Sequence, residues 1–127
     1  KSMRKVFAKG RMRHVTGQMN KTEAAYHAHL QAQGHAWIEF EAITLKLADG
    51  CRYTPDFAVM RQDGVIELHE VKGSKAIFQD DAKVKIKLAA KLFPFVFKLA
   101  FPIPIKHGGG WTVEEVNDSH GNQESNP

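Results

Sequence analysis

The segment RYTPDFAVMRQDGVIELHEVKG, residues 52–73, decides the fold, because it contains two extended stretches separated by a turn signal at residues 62–64. Upstream, residues 37–48 read WIEFEAITLKLA, in which apolar side chains recur as they do in a strand. Asp49-Gly50 follows and predicts a hairpin turn. We therefore expect three antiparallel strands joined by short turns.

The flanking segments predict helices on either side of these strands. Residues 20–34 favour a helix that begins at the N-cap Asn20 and ends at Gly34. Residues 76–93 carry apolar side chains at helical spacing, and Pro94 ends the run. Residues 95–101 are nearly all apolar and predict a buried strand, and a further short strand is expected at 111–116. The expected fold is α/β, with a central mixed sheet flanked by helices.

The charges are unevenly distributed along the 127 residues, whose formal net charge is +4. Residues 1–19 carry Arg11, Arg13 and other bases without an acid, whereas the end of the chain carries only acids. We expect a basic arm at 1–19, one domain at 20–117 and a disordered tail at 118–127. The arm suits a polyanion such as nucleic acid, or serves only solubility.

Several classes of protein are excluded by pattern. No apolar run approaches a membrane span and no signal-peptide pattern is visible, so we expect a cytoplasmic protein without a membrane partner. The single cysteine, Cys51, excludes an internal disulfide. Neither an HExxH motif nor a Cys/His cluster is present, which makes zinc chemistry an unfavourable reading.

Two carboxylates and an ammonium are expected to converge at one end of the strands. Glu70 and Lys72 point to one face of their strand, since side chains alternate. Pairing about the turn at residues 62–64 brings Asp56 near Glu70. Carboxylate oxygens are the ligands that Mg²⁺ prefers, and Lys72 would orient a water or neutralise charge on a phosphate.

These residues resemble a known signature. Pro55-Asp56, thirteen intervening residues and then Glu70-Val71-Lys72 are similar to the motif of the PD-(D/E)XK nuclease superfamily, and residues 20–101 resemble its small phage-encoded endonucleases, in the style of endonuclease I and Holliday-junction resolvases. The resemblance implies a restriction-endonuclease-like core of helix, three-stranded meander, helix and strand. It also implies a Mg²⁺-dependent endonuclease, with Mn²⁺ as a substitute, acting on DNA as a homodimer. The Val71 carbonyl would lie near the metal.

Glu23 has two readings. Asn20-x-x-Glu23 matches a capping box, in which the glutamate reaches back to the cap amide. The resemblance places a catalytic and metal-binding glutamate on the first helix, where Glu23 stands. Both readings stay open.

Other basic residues are candidates for phosphate contacts. Lys83, Lys87 and Lys91 recur at every fourth residue and would form one stripe on the second helix, and Lys75 lies in the preceding loop. A solvated helix face is the alternative for the stripe. His69 is on the face opposite to Glu70 and is interpreted as structural or as a surface residue.

Three functions remain in competition. The first is a structure-selective endonuclease for branched or junction DNA, and the second is a restriction-type or general nuclease. The third is a catalytically weak nucleic-acid-binding module that kept the fold. A dimer interface would draw on some of the chain's aromatic side chains, namely Trp37, Phe93, Phe95, Phe97 and Phe101.

Overall fold

A computed structural model of the chain describes residues 17–73 and 80–117, except for the side chains of residues 80 and 81. Helix α1 spans Lys21–Ala32 and helix α2 spans Asp80–Leu92. A short 3₁₀ helix lies at Ile105–His107. The strands are β1 Trp37–Phe40, β2 Leu45–Ala48, β3 Cys51–Tyr53, β4 Phe57–Met60, β5 Ile66–Val71, β6 Val96–Pro102 and β7 Trp111–Val116.

The central sheet has five strands in the order β1-β4-β5-β6-β7. Strands β5 and β6 are parallel, whereas the other neighbouring pairs are antiparallel. A parallel pair needs a crossover connection, which contains α2. These observations confirm the predicted α/β class with a mixed central sheet and two helices.

The two faces of the sheet contribute to separate apolar clusters. Tyr26 of α1 packs with Phe57 of β4 in one cluster. Ile86 of α2 packs with Leu68 of β5 in the other. Because side chains alternate along a strand, adjacent residues of the same strands serve opposite clusters. Each of these fully buried side chains contributes about 1.5–3 kcal/mol through loss of exposed apolar surface.

The expectation of three unbroken antiparallel strands is wrong in one respect, because the first two strands are each interrupted. Glu41 adopts a left-handed backbone conformation with φ of +52°, and its N–H donates to the Asp56 carbonyl at 2.8 Å. Pro55, which lacks an N–H, interrupts the second strand at the same level. Beyond these breaks, β2 and β3 pair with each other as a separate two-stranded sheet. We call this β2–β3 unit the distal hairpin.

The distal hairpin turns at the predicted Asp49-Gly50, where Gly50 has a φ of +73°. Its side chains Leu45 and Tyr53 are buried in the cluster beneath α2. The hairpin is therefore held against α2 rather than extended into solvent.

The connection to the last strand is an ordered turn. Residues 108–110 all have positive φ, from +70° to +111°, which glycine adopts without strain. Ile103 N–H donates to the Gly110 carbonyl at 2.8 Å, so the turn is closed by a hydrogen bond. Strand β7 then pairs with β6 and adds the fifth strand of the sheet.

The predicted basic arm and acidic tail lie mostly outside the described residues. Met19, the last residue of the predicted arm, packs against the cluster that contains Tyr26. The N–H of Gly17 donates to Glu41 Oε1 at 2.9 Å. Neither described helix has the length and apolar character needed to cross a membrane.

Candidate active site

The strand register brings Asp56 and Glu70 together. Phe57 pairs with His69 across β4 and β5, so the residues just outside this pair, Asp56 and Glu70, oppose each other. Both line one cavity of about 600 Å³ at the point where the distal hairpin bends away. The cavity is lined by Asn20, Glu23, Glu41, Thr44, Thr54, Asp56, Glu70, Val71 and Lys72.

Asp56 is buried, with 9% of its surface exposed. Its Oδ2 accepts a hydrogen bond of 2.8 Å from the Val71 N–H. Burial, and then the neighbouring Glu70 charge, raise the pKa of Asp56 to about 8, although the Val71 N–H opposes this shift. Without a bound cation, the Asp56 carboxyl therefore holds a proton near neutral pH.

Glu70 is fixed by two side chains. The Tyr53 hydroxyl donates to Glu70 Oε1 at 2.8 Å, and the Lys72 ammonium lies 3.2 Å from Oε2. Burial raises the pKa of Glu70, while Lys72 and the Tyr53 hydrogen bond oppose the rise. The Lys72 N–H donates to the Ala100 carbonyl at 2.9 Å, which continues the β5–β6 pairing to the edge of the cavity.

The position of Glu23 is compatible with both of its interpretations, as a capping residue and as a residue of the cavity. Asn20 N–H donates to Glu23 Oε1 at 2.9 Å, and Glu23 N–H donates to Asn20 Oδ1 at 2.8 Å, so the predicted capping box is confirmed. The same side chain is buried at 6% exposure and lines the cavity. Its charge is one of the causes that raise the pKa of Asp56. A role for Glu23 as a metal ligand stays a prediction.

The donor set at the cavity fits a hard divalent cation that keeps part of its water shell. Within residues 17–73 and 80–117, no group of three or more His, Cys, Asp and Glu side chains is placed to hold a metal by itself. Mg²⁺ commonly binds one or two carboxylates and completes its shell with water and substrate phosphate, so Asp56 and Glu70 suffice as side-chain ligands. Burial and then the charge of Glu70 raise the pKa of Asp56, and a cation between the two carboxyl groups would offset both effects.

No protein-family model, curated protein or solved structure matches this chain. What the cavity does is therefore inferred from its own residues.

The predicted lysine stripe lies away from the cavity. Lys83, Lys87 and Lys91 are exposed on α2, as expected. Lys83 and Lys87 line a different pocket, together with Glu114 and Glu115 of β7. Acidic neighbours weaken the attraction of these lysines for phosphate. The other predicted contacts, Arg11, Arg13 and Lys75, lie outside the described residues.

Sequence reasoning missed Arg52 and Lys85, two basic side chains that line a pocket together with Glu70. Both line a second groove that shares Glu70 and Thr54 with the cavity. Lys85 is three residues after the apolar Ala82 on α2, so the two side chains are neighbours on the helix surface, beside its buried face. This spacing was the signal in the sequence that could have indicated Lys85. No pattern in the sequence indicated the position of Arg52, because that position depends on the bend of the distal hairpin.

His69 is structural, in agreement with one of its two interpretations, and is not on the surface. Its Nδ1 hydrogen-bonds with the Tyr26 hydroxyl at 2.6 Å, and its Nε2 with Glu67 Oε1 at 2.8 Å. Glu67 Oε2 also lies 3.3 Å from the Lys98 ammonium and 3.4 Å from Arg61. The His69 hydrogen bond is the largest cause that lowers the pKa of Glu67 to about 2, and burial lowers the pKa of His69. This network connects α1, β5 and β6 on the face opposite to Glu70.

Proposed function

We propose that this chain is a metal-dependent DNA endonuclease of the PD-(D/E)XK kind, which hydrolyses phosphodiester bonds. The observation that carries the proposal is the convergence of Asp56 and Glu70 in one cavity, beside the Lys72 ammonium. Burying two carboxylates against each other is costly, and such arrangements are concentrated at functional sites. The stability of the fold gains nothing from this repulsion, whereas cation binding uses both charges.

The order of elements supports a restriction-endonuclease-like core. Helix α1, the paired strands β1, β4 and β5, helix α2 and the parallel strand β6 follow the sequence of elements that the resemblance implies. The distal hairpin and β7 are additions to that order. Asp56 and Glu70 lie at the same end of the paired strands β4 and β5.

Mg²⁺, with Mn²⁺ as a substitute, is the proposed ion. Asp56 and Glu70 would hold it, with the Val71 carbonyl nearby and Glu23 joining directly or through water. A cation of this kind polarises a phosphate and lowers the pKa of a bound water. The Asp56 oxygen not used by the Val71 N–H has no hydrogen-bond partner in the described part of the chain, so it is available as a ligand.

Lys72 is proposed to act on the reacting phosphate. Its side chain is 24% exposed and lines the cavity, so the ammonium reaches both Glu70 and the open space. A positive charge fixed there stabilises negative charge that develops on a phosphate oxygen, or orients the attacking water. Tyr53 holds the other oxygen of Glu70, which keeps the Glu70 carboxylate in place when Lys72 turns toward the substrate.

The proposed substrate is branched DNA, cut by a homodimer in the cytoplasm. Resolving a junction needs two cuts on opposing strands, and a symmetric pair of subunits supplies two sites. Phe97 and Phe101 are core residues, and Phe93 and Phe95 pack against the same core, so these four aromatics are used internally. Trp37, on the edge strand β1, is 39% exposed and is the aromatic that remains for an interface.

The test is cleavage of linear duplex, single-stranded, flap and four-way-junction DNA, with and without Mg²⁺. We expect cleavage that requires Mg²⁺, is fastest on the junction and is lost in Asp56→Asn. Asp63→Asn is the matched control, since Asp63 is an exposed turn residue paired with Arg61. Equal rates on linear duplex would favour a general nuclease. DNA binding without cleavage in Mg²⁺ or Mn²⁺ would favour the binding module.

A further inference from the structure

A second groove, of about 350 Å³, opens directly beside the cavity. Arg52, Tyr53 and Thr54 of the distal hairpin form one side, and Ala82 and Lys85 of α2 form the other. Glu70 and Thr54 line both spaces, so the groove continues from the point where the carboxylates converge.

The sides of the groove are connected by a hydrogen bond, and its two cationic side chains are exposed. The Lys85 ammonium donates to the Arg52 carbonyl at 3.3 Å, which connects α2 to the hairpin strand. Tyr53, which lines the groove with the two cations, is buried and hydrogen-bonded to Glu70. Arg52 and Lys85 are both exposed, and neither forms an ion pair with any carboxylate in the described ranges.

The cavity itself is unfavourable for a polyanion. Among the residues that the structure describes, four carboxyl groups line it, from Glu23, Glu41, Asp56 and Glu70, against the one ammonium of Lys72. A nucleic-acid strand must therefore be held by cations outside the cavity while one phosphodiester enters it. The exposed cations that adjoin the carboxylates within the described residues are Arg52 and Lys85.

We propose that the groove between Arg52 and Lys85 binds the backbone phosphates of the DNA strand next to the phosphodiester in the cavity. This inference rests on the proposed nuclease function, and it names the path of the substrate strand. Arg52 and Lys85 each contact one phosphate. Thr54, whose hydroxyl is hydrogen-bonded to that of Thr44 at 2.7 Å, lies at the junction of the two spaces and donates to the DNA backbone while the Thr44 hydroxyl donates to it. Such contacts position the strand without reading its sequence.

The rival path is the stripe of Lys83, Lys87 and Lys91 on the same helix. Two of these lysines share their pocket with Glu114 and Glu115, whereas Glu70 is the one carboxylate among the described residues that line the pocket of Arg52 and Lys85. The groove is therefore the more cationic path, and it is the one continuous with the cavity.

The experiment compares three double variants, each of which removes two positive charges. They are Arg52→Gln with Lys85→Gln in the groove, Lys83→Gln with Lys87→Gln in the stripe, and Arg61→Gln with Lys106→Gln as a control. Arg61 pairs with Asp63 at the turn between β4 and β5, Lys106 lies in the exposed 3₁₀ helix, and neither lines the cavity or the groove. Fluorescence anisotropy gives the affinity for labelled junction DNA over a series of KCl concentrations, without divalent cation.

We expect the groove variant to lower the slope of log affinity against log salt by about 1.8, or about 0.9 for each lost phosphate contact. The control should leave the slope unchanged, and Lys85→Arg alone should keep the wild-type slope. In cleavage assays the groove variant should raise KM more than it lowers kcat. A stripe variant that loses more slope than the groove variant would overturn this inference while wild-type cleavage still stands. A wild type that cleaves no DNA would instead overturn the proposed function.

Discussion

The Oδ2 atom of Asp56 accepts a 2.8 Å hydrogen bond from the backbone N–H of Val71, which ties the start of β4 to the last residue of β5. The carboxyl group is thereby fixed in a buried position opposite Glu70, where it lines the cavity. The same hydrogen bond opposes the rise in the pKa of Asp56 without preventing it. The hydrogen bond therefore holds Asp56 at a position where its negative charge is unfavourable. The effect of this position on stability and on cation binding can be measured.

Asp56→Asn should stabilise the cation-free protein while abolishing cation binding. The amide oxygen can accept the same Val71 hydrogen bond, and the repulsion with Glu70 disappears. The melting temperature at pH 8.5 should rise, whereas the heat of Mn²⁺ binding in titration calorimetry should vanish. Asp63→Asn should change neither quantity. Mn²⁺ affinity equal to that of the wild type would place the ion elsewhere.

The cation-free protein should lose stability as pH rises from about 6.5 to 8. In this window Asp56 is ionised in the unfolded chain but protonated in the folded state, because its folded pKa of about 8 is above the ordinary 3.8. Near pH 6.5 the folded state binds about one more proton, so the free energy of unfolding falls there by about 1.4 kcal/mol per pH unit, and this slope halves by about pH 8 as Asp56 ionises in the folded state. Urea unfolding measures this slope. Asp56→Asn should remove it, and saturating Mn²⁺ should flatten it.

Lys72→Ala should keep Mn²⁺ binding and DNA binding but lower the rate of cleavage by about 100-fold or more, since removing one such donor commonly has this effect. The two carboxylates and Val71 remain in place, and Tyr53 still holds Glu70. Lys72→Arg should rescue cleavage only in part, because a planar guanidinium differs in shape from an ammonium. Single-turnover cleavage separates the chemical step from binding. Wild-type cleavage by Lys72→Ala would refute the role.

The two roles of Glu23 can be separated by substitution. Glu23→Gln should keep the capping box, since a glutamine side chain also accepts from the Asn20 N–H, but should weaken Mn²⁺ binding by removing a charge from the cavity. Asn20→Ala should have the reverse effect, with a loss of about 1 kcal/mol of stability and little change in Mn²⁺ affinity. Chemical unfolding and calorimetry on both variants test this. If Glu23→Gln binds Mn²⁺ normally, the residue is only a cap.

The network around His69 should make the fold sensitive to acid. The pKa of His69 is lowered by burial, so its contribution to stability is lost as pH falls below about 6.5. Glu67, with a pKa of about 2, stabilises the fold above its ordinary 4.5 and loses this contribution as pH falls toward 2.

Tyr26→Phe leaves His69 Nδ1 without its partner and should lower the free energy of unfolding by about 1–3 kcal/mol. Denaturant midpoints at pH 4 and 7 measure both effects. Acid insensitivity would contradict the pKa assignments.

The sequence predicts the elements well where a local rule governs them. The Asn20 cap, the Asp49-Gly50 turn and the alternation along β5 each depend on neighbouring residues, and each is confirmed. The interruptions at Glu41 and Pro55 were only partly foreseeable. Proline indicates a bend, but the left-handed conformation of Glu41 depends on its hydrogen bond to the Asp56 carbonyl, fifteen residues away.

The features of the cavity also divide into those that local rules predict and those that depend on distant packing. The convergence of Asp56 and Glu70 follows from one turn and from strand alternation, which are local. The hydrogen bond from Tyr53 and the position of Lys85 depend on how the distal hairpin packs against α2. Packing between segments more than thirty residues apart leaves no periodic signal in a single sequence.

The interruption of two strands at one level separates the exposed surface of the distal hairpin from the sheet that carries the carboxylates, while the buried Tyr53 still connects the two parts through Glu70. The central sheet carries the opposed carboxylates, whereas the distal hairpin carries Arg52 and Thr54. Surface substitutions or changes of length at the hairpin tip leave the strand register of the sheet intact. If the proposed nuclease function holds, an evolving or redesigned version of this chain can acquire new substrates through the surface of its hairpin while it keeps the carboxylates of the cavity unchanged.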